Sequence, residues 1–295
     1  MRDCGVREFT DILRRGLKAA LDFLIPRKCV VCECVLGPAE THICSDCLED
    51  LPRTYYWLRK FNPMADKFNA LIQKWVEDGL TARENGCLAA SEGCIPTREN
   101  YAYAAALFFY RTDSGYSNIS RQLKYHDDLP SGRFFGRMFG EKIAVAEHFK
   151  DVDAVIPIPL HWTRKWSRGY NQAEILASEV AAAIGAPLRT DILERRRRTR
   201  TQTKLTIEGK AANVKGAFRV RAHIRQNLNP DPDGRPNSNK KKADAPVISD
   251  LKHLLIIDDI FTTGSTALAC YCALREVFPP SIRISIATLG FVGQA

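Results

Sequence analysis

Two adjacent carboxylates directly after an aliphatic run are the strongest chemical signal in the sequence. Residues 254–257 are all Leu or Ile and predict a buried parallel strand, and Asp258 and Asp259 follow them. Because open α/β sheets place ligands beyond the carboxyl ends of their strands, we expect both acids to face a ligand. Adjacent carboxylates repel each other unless something neutralises them, which favours a binding site over an acidic turn.

The segment after the acids is suited to bind an anion. Small hydroxyl residues and one glycine come first, and helical spacing follows over 267–277. Such a loop presents backbone N–H groups and a helix N-terminus to a phosphate. The acids beside the loop can bind sugar hydroxyls or a hydrated divalent cation. Together, the acids and the loop are suited to bind a sugar phosphate. The candidate phosphate-binding residues are Thr262, Thr263, Gly264, Ser265 and Thr266.

A second candidate anion site lies at the end of another predicted strand, 153–159. Two prolines would fix its backbone, several cations follow, and Gly169 would permit close approach. These features suit a pyrophosphate, although without the acidic motif a basic loop that caps a helix would be the preferred interpretation. The candidate residues are Pro157, Ile158, Pro159 and Arg168.

Four of the ten cysteines have the spacing of a metal site. They form two C-x-x-C pairs that can close a tetrahedral zinc site on a short knuckle: Cys29, Cys32, Cys44 and Cys47. Disulfides are the alternative. We expect no secretory signal, and its absence would argue against them. Cys34 or His42 lies near enough to replace one thiolate, and we interpret Cys34 as a spare thiol. Cys87 and Cys94 are poorly spaced for a second knuckle, so their role stays open.

Alternating strand and helix patterns predict an α/β fold with a mostly parallel sheet flanked by helices. An apolar stripe over 116–149, interrupted near Pro130, predicts helices, and Gln172–Ile184 is a clear amphipathic helix. The remaining predicted strands are 101–111, 216–220 and 283–289.

The length of 295 residues and the 45% hydrophobic content support one large domain with a small appended module. A docking helix is the preferred interpretation of the N-terminus, with a peripheral membrane helix as the alternative. No apolar run is long enough to span a bilayer, and we expect a soluble, cytoplasmic protein. The predicted divisions are an amphipathic helix at 1–27, the zinc knuckle at 28–52, a connecting segment at 53–99 and the large domain at 100–295.

The net charge of +9 favours partners that are rich in phosphate. Much of it lies in Arg195–Arg198 with Lys204, and in Lys240–Lys242, although such runs are usually solvated faces. Aromatic residues do not alternate with either run, as a base-stacking platform would require. Residues 222–249 are poor in large apolar residues and predict a flexible insertion.

Together these segments resemble the ComF family of phosphoribosyltransferase-like proteins. The acidic run with its Thr-Thr-Gly loop resembles the phosphoribosyl pyrophosphate (PRPP) motif of type I phosphoribosyltransferases, and the N-terminal C-x-x-C knuckle adds to the likeness. The other matching motifs are Pro157-x-Pro159-Leu160-His161, Arg168-Gly169-Tyr170-Asn171-Gln172, Leu123-Lys124-Tyr125, Gln202-Thr203 and Asn213-Val214-x-Gly216-Ala217-Phe218. The resemblance covers residues 29–52 and about 101–292.

This resemblance implies a type I phosphoribosyltransferase fold in which a flexible hood closes over PRPP. It implies that Asp258 and Asp259 hold the ribose hydroxyls and the Mg²⁺ environment, that 262–266 binds the 5′-phosphate, and that the 157–161 turn binds pyrophosphate. Residues 195–214 would form the hood, with Arg195–Arg198 and Lys204 available to meet pyrophosphate. The insertion at 222–249 is not part of the family pattern.

Two functions remain open at this point. The first is a Mg²⁺-dependent enzyme that transfers the phosphoribosyl group from PRPP to a nitrogenous acceptor, with a role in competence. The second is a non-catalytic, PRPP-binding accessory of DNA uptake. Its expected partners are single-stranded DNA or a competence helicase or ATPase, and a homodimer is the expected form of self-association.

Overall fold

The computed structural model describes residues 26–84, 100–125, 129–196, 216–228 and 251–293. Several predicted features lie outside these residues, namely most of the N-terminal helix, Cys87, Cys94, Lys204 with most of the hood, and Lys240–Lys242. Among the described helices, none is long and apolar enough to cross a membrane.

A parallel sheet forms the centre of the part of the chain that the structure describes. In chain order the strands are β1 (Ala104–Phe109), β2 (Ala154–Pro157), β3 (Leu193–Arg195), β4 (Phe218–Val220), β5 (His253–Phe261) and β6 (Arg283–Phe291). Four of them pair in the order β1-β6-β5-β2, all parallel. This architecture confirms the predicted α/β class, and it places the strand that carries the acids in the interior of the sheet.

Helices cover both faces of this sheet. In chain order they are α1 (Ser45–Glu49), α2 (Pro63–Glu84), α3 (Ser117–Tyr125), α4 (Leu129–Ala144), α5 (Trp162–Arg168), α6 (Gln172–Ile184), α7 (Ala222–Leu228) and α8 (Ser265–Arg275). Side chains of α2 and α8 pack on one face, and those of α3, α4 and α6 pack on the other. Residues 254–257 are buried between the two layers, which explains why β5 is continuously apolar there.

The structure extends and corrects several predicted elements. Strand β5 does not end before the acids but continues to Phe261, because β6 also continues and pairs with it as far as Phe291. The predicted strand at 216–220 forms β4, which pairs with β3 in a separate antiparallel ribbon rather than joining the parallel sheet. The start of the predicted flexible insertion is helical, as α7 shows.

The predicted connecting segment contains the 22-residue helix α2. Asn62 accepts a hydrogen bond from the backbone N–H of Ala65 through Oδ1 at 3.0 Å, and Pro63 occupies the first helical position. This is a typical helix start, since Asn caps free N–H groups and proline has none to satisfy. Met64 and Phe68 are fully buried against the sheet, so α2 is part of the core.

His253 is the first residue of β5, and its side chain is fully buried. Its Nδ1 lies 2.8 Å from Asp151 Oδ1, and its Nε2 lies 2.8 Å from Ser285 Oγ. Ser285 Oγ also accepts a hydrogen bond from the backbone N–H of Tyr103 at 3.0 Å. Burial lowers the pKa of His253, although the carboxylate of Asp151 opposes that shift.

We therefore expect the free energy of unfolding to decrease as the pH falls below about 6.5. The folded pKa of His253 lies below its unfolded value, so the unfolded chain takes up a proton that the folded chain resists. One such group gives a slope of at most about 1.4 kcal/mol per pH unit. Urea unfolding between pH 7.5 and 5 should show a smaller pH dependence in His253→Asn than in the unaltered chain. Equal pH dependence in both proteins would contradict this assignment.

Candidate functional site

Strand β2 ends beside Ile257 of β5, the residue that precedes Asp258. Pro157 is the register partner of Ile257, and the backbone N–H of Ile158 donates to the carbonyl of Ile257 at 2.9 Å. The 157–161 turn therefore lies beside Asp258 at one edge of the sheet. That this turn and the 262–266 loop serve one site stays a prediction.

The two acids occupy different surroundings. Because side chains alternate along a strand, Asp258 shares a face with Ile256 and Ile260, whereas Asp259 points to the other face. Asp258 lines a cleft together with Thr262, Gly264, Ser265 and Thr266, and Asp259 does not. Because the strand continues through this pair, only Asp258 lines the same cleft as residues 262–266. That both acids face a ligand stays a prediction.

Asp259 is neutralised by helix α3. It forms an ion pair with Lys124, and its Oδ2 accepts a hydrogen bond from Ser120 Oγ at 3.1 Å. Burial raises the pKa of Asp259, but the charge of Lys124 and the hydrogen bonds from Lys124 and Ser120 outweigh burial and leave that pKa below its usual value. Asp259 is therefore ionised at neutral pH.

The pKa of Asp258 shifts in the opposite direction. Burial, followed by the negative charge of Asp259, raises the pKa of Asp258 well above its usual value. One of its oxygens, Oδ1, accepts a hydrogen bond from the backbone N–H of Asp259 at 2.9 Å. Asp258 therefore holds a proton more readily than Asp259 does, and protonation competes with cation binding at this carboxyl group.

The predicted phosphate loop, residues 262–266, leads into the N-terminus of α8. Gly264 caps the N-terminus of α8 with a φ of +80°, and Thr263 Oγ1 lies 2.9 Å from Ser265 Oγ. The first turn of α8 opens onto the cleft through Ser265 and Thr266, while Thr263 itself does not line the cleft. Helix N-termini in such loops attract negative charge.

Helix α2 contacts the end of β5 and the start of this loop. Lys67 Nζ donates to the carbonyl of Thr262 at 2.7 Å, and Phe68 packs edge-on against Phe261 with ring centroids 6.1 Å apart. Lys67 Nζ also lies 5.9 Å from the centroid of the Phe261 ring. The sequence contained a signal for the helix in Asn62-Pro63, but none for the contact between Lys67 and the loop.

The four predicted cysteines meet in one cluster. Their sulfurs all lie within 4.8 Å of one another, and the four residues could hold a metal ion: Cys29, Cys32, Cys44 and Cys47. Cys29 Sγ accepts backbone N–H bonds from Val31 and Cys44, both at 3.4 Å. The exposed thiol of Cys34 is not one of these four, although it hydrogen-bonds with the thiols of Cys32 and Cys44. His42 packs against the ring of Phe134.

The knuckle packs on the same core as the sheet. Cys29, Val30 and Ile43 are buried in the cluster that contains Phe108 and Ile119. Tyr116 OH donates to the carbonyl of Cys47 at 3.0 Å. The cysteine cluster therefore contacts the turn that leads into α3, the helix that carries Lys124.

Comparison with characterised proteins gives partial matches. The chain is 28% identical over 132 residues to competence protein F of Haemophilus influenzae, which covers 45% of this chain and 48% of the relative. It is 30% identical over 153 residues to the DNA utilization protein YhgH of Salmonella typhi, covering 51% and 56%. These matches support assignment of the chain to the ComF family. The chain spans about half the length of the curated relatives it matches, and no family profile matches it.

The ComF motif Arg-Gly-Tyr-Asn-Gln connects the parts of the site. Tyr170 OH donates to the carbonyl of Leu123 at 2.7 Å, next to Lys124. Asn171 Nδ2 donates to the carbonyl of Ile158 at 3.0 Å, which connects the start of α6 to the 157–161 turn. Arg168 contacts the buried Gln172 Oε1 at 3.3 Å. In this structure the motif positions α3 and the turn.

The base of the predicted hood lies beside α8. The guanidinium carbon of Arg195, in β3, lies 5.1 Å from the centroid of the Phe218 ring in β4, and the backbone N–H of Arg196 donates to the carbonyl of Ala217. Strand β4 packs on α8, the helix that follows the phosphate loop. Of the predicted hood, residues 195–214, the structure thus describes only Arg195 and Arg196.

Proposed function

We propose that the protein binds PRPP with Mg²⁺ and acts in the handling of DNA during uptake. The observation that carries the PRPP assignment is the cleft that Asp258 shares with the 262–266 loop. The 157–161 turn begins beside Ile257, the residue before Asp258. The names of the relatives, a competence protein and DNA utilization proteins, support the proposed role in DNA uptake.

In the proposed complex each segment of the site binds a different part of PRPP. The N–H groups of the 262–266 loop bind the 5′-phosphate, and Asp258 accepts hydrogen bonds from the ribose hydroxyls or from water on Mg²⁺. The 157–161 turn lies where the pyrophosphate would extend. Lys124 keeps Asp259 ionised and limits the repulsion between the two acids.

The preferred activity is phosphoribosyl transfer. A nitrogen of the acceptor bonds to C1 of the ribose while the bond from C1 to the pyrophosphate oxygen breaks, and the acceptor then loses a proton. Mg²⁺ would neutralise charge on the leaving pyrophosphate, and Asp258 would orient a ribose that gains positive character at C1. Release of pyrophosphate from PRPP in the presence of candidate bases tests this activity directly.

The second candidate function is a non-catalytic accessory that binds PRPP and contacts single-stranded DNA or an ATPase of DNA uptake. The basic net charge of +9 and the name of the YhgH relatives favour this possibility. Binding of PRPP without pyrophosphate release from any tested base would favour it over the enzyme.

We also propose that the cysteine cluster holds a structural Zn²⁺. Zinc–sulfur bonds of about 2.3 Å place tetrahedral sulfurs about 3.8 Å apart, and Cys32 and Cys44 have sulfurs 3.7 Å apart. A disulfide requires sulfurs at about 2.05 Å. Four thiolates leave no open position for a substrate, which is typical of a structural site.

Changing Asp258 and Asp259 to Asn should weaken PRPP–Mg²⁺ binding at least tenfold, or about 1.4 kcal/mol. The change removes the charge that attracts the hydrated cation, and Asp258→Asn alone should account for most of the loss because Asp258 faces the cleft. In the unaltered chain, affinity should increase with pH, since the raised pKa of Asp258 makes cation binding displace a proton.

Titration calorimetry at several pH values measures both effects. Glu147→Gln is a suitable control, because that exposed acid pairs only with the neighbouring Lys150 in the part of the chain that the structure describes. Unchanged PRPP affinity in the double variant would remove the acids from the site.

A further inference from the structure

Helix α5 presents two large aromatic side chains to solvent. Trp162 is 68% exposed and Trp166 is 86% exposed, the largest exposures among the described large hydrophobic residues. Buried aromatic residues stabilise a fold, but these two contribute little burial to this one. An exposed pair on one short helix is therefore better explained by a binding role than by folding.

The two indoles share one face of the helix. Residues four apart lie one above the other on an α-helix, separated by about 6 Å along its axis. The ring of Trp162 has a fixed neighbour, since its centroid lies 5.6 Å from that of His161, which is buried at the helix N-cap. Trp162 and Trp166 therefore form a pair of adjacent flat apolar surfaces.

The sequence around this pair is basic. The helix reads Trp-Thr-Arg-Lys-Trp-Ser-Arg and contains three cations and no acid. Aromatic residues and cations thus alternate in α5, whereas they do not in the arginine and lysine runs at 195–198 and 240–242. Aromatic faces that stack on bases, combined with cations that attract the backbone, are the features by which proteins bind single strands.

We propose that Trp162 and Trp166 form a stacking platform for single-stranded DNA. The spacing of about 6 Å allows each indole to stack on a different base of one strand. The choice of DNA rests on the DNA-uptake part of the proposed function, but it does not depend on PRPP binding. Base pairing would hide the base faces, so duplex DNA should bind only through its phosphates.

Other occupants fit this helix less well. An interfacial membrane helix needs a continuous apolar face, whereas α5 has seven residues and, apart from the two tryptophans, consists of Thr, Ser, Arg and Lys. A protein partner would gain from apolar residues around the aromatic pair, and this helix offers none.

The test is fluorescence anisotropy of a labelled oligo(dT) with the full chain. The variant Trp162→Ala/Trp166→Ala should bind at least about tenfold more weakly, since it removes both surfaces on which bases stack. Trp162→Phe/Trp166→Phe should retain most of the affinity. The slope of log affinity against log salt should be the same in all three proteins, because the phosphate contacts remain.

A matched control is Leu58→Ala/Phe61→Ala, which removes two exposed apolar side chains from another part of the surface. This control should bind oligo(dT) as the unaltered chain does. Unaltered binding in the alanine double variant would overturn the proposal. Stronger binding of a matched oligo(U) would overturn the choice of DNA. Tryptophan-dependent binding to anionic vesicles without binding to oligo(dT) would assign the helix to a membrane surface instead.

Calorimetry with PRPP on the same variants separates the two proposals. Loss of oligo(dT) binding with unchanged PRPP affinity supports a distinct platform. If the unaltered chain binds oligo(dT) through the tryptophans but does not bind PRPP, the PRPP assignment fails and the platform stands.

Discussion

Replacing Cys29 and Cys44 with Ser is expected to abolish zinc binding and to destabilise the folded chain by roughly 5 kcal/mol or more. In small zinc modules the metal contributes apparent binding free energies of about 10–16 kcal/mol, which is coupled to folding. Both cysteines are buried, and the knuckle contributes Val30, Ile43 and Leu51 to the core. Without the metal, the segment has too few apolar residues to fix its own loops.

The measurements are elemental analysis, which should return about one zinc per chain, and denaturant unfolding. Cys34→Ser is the matched control, because that exposed thiol lies outside the group of four. It should retain the metal and the stability of the unaltered chain. Metal retained in the double serine variant would contradict the four-cysteine assignment.

Loss of the metal should also weaken the contacts that α3 makes with Asp259. Tyr116 connects the carbonyl of Cys47 to the turn before α3, and α3 supplies Ser120 and Lys124 to Asp259. If the knuckle loosens, the start of α3 loses a fixed contact. The pairing that keeps Asp259 ionised would then weaken.

Local features of the site could be predicted from the sequence. The aliphatic run of β5 and the Thr-Thr-Gly loop are contiguous, and the helix Gln172–Ile184 has both apolar periodicity and Gly185 at its end. In each case the residues that decide the structure lie within one or two turns of each other. The cysteine knuckle belongs to the same group, since its ligands are close in the chain.

Contacts between distant segments could not be predicted in this way. Nothing in the residues around Asp259 indicates that Lys124 neutralises it, because that contact depends on how α3 packs on the sheet. The contact of Lys67 with Thr262 likewise depends on the position of α2. The opposite orientations of the two acids follow from the length of β5, which its pairing with β6 decides.

Replacing Gly264 with Ala should give the largest loss of PRPP affinity of any single methyl group added to the loop. The φ of +80° disfavours a side chain by about 1–2 kcal/mol. An added Cβ would also lie 2.6 Å from Leu71 Cδ1 and 2.7 Å from Phe261 Cζ. Overpacking of this kind costs about 1–3 kcal/mol. Because Phe261 is buried, the loop rather than the ring should shift, and its N–H groups should turn away from the phosphate.

The expected result is a decrease in PRPP affinity of more than tenfold together with a lower free energy of unfolding, from calorimetry and urea denaturation. Gly185→Ala is a matched control, since Gly185 has a φ of +71° but no atom within 4 Å of an added Cβ. This variant should lose stability only because a positive φ disfavours a side chain, and it should keep its PRPP affinity. Adding Leu71→Ala to Gly264→Ala removes one of the two overlaps and should restore part of the affinity. If Gly264→Ala instead binds PRPP as well as Gly185→Ala does, the loop is not held by α2 in the way that these contacts indicate.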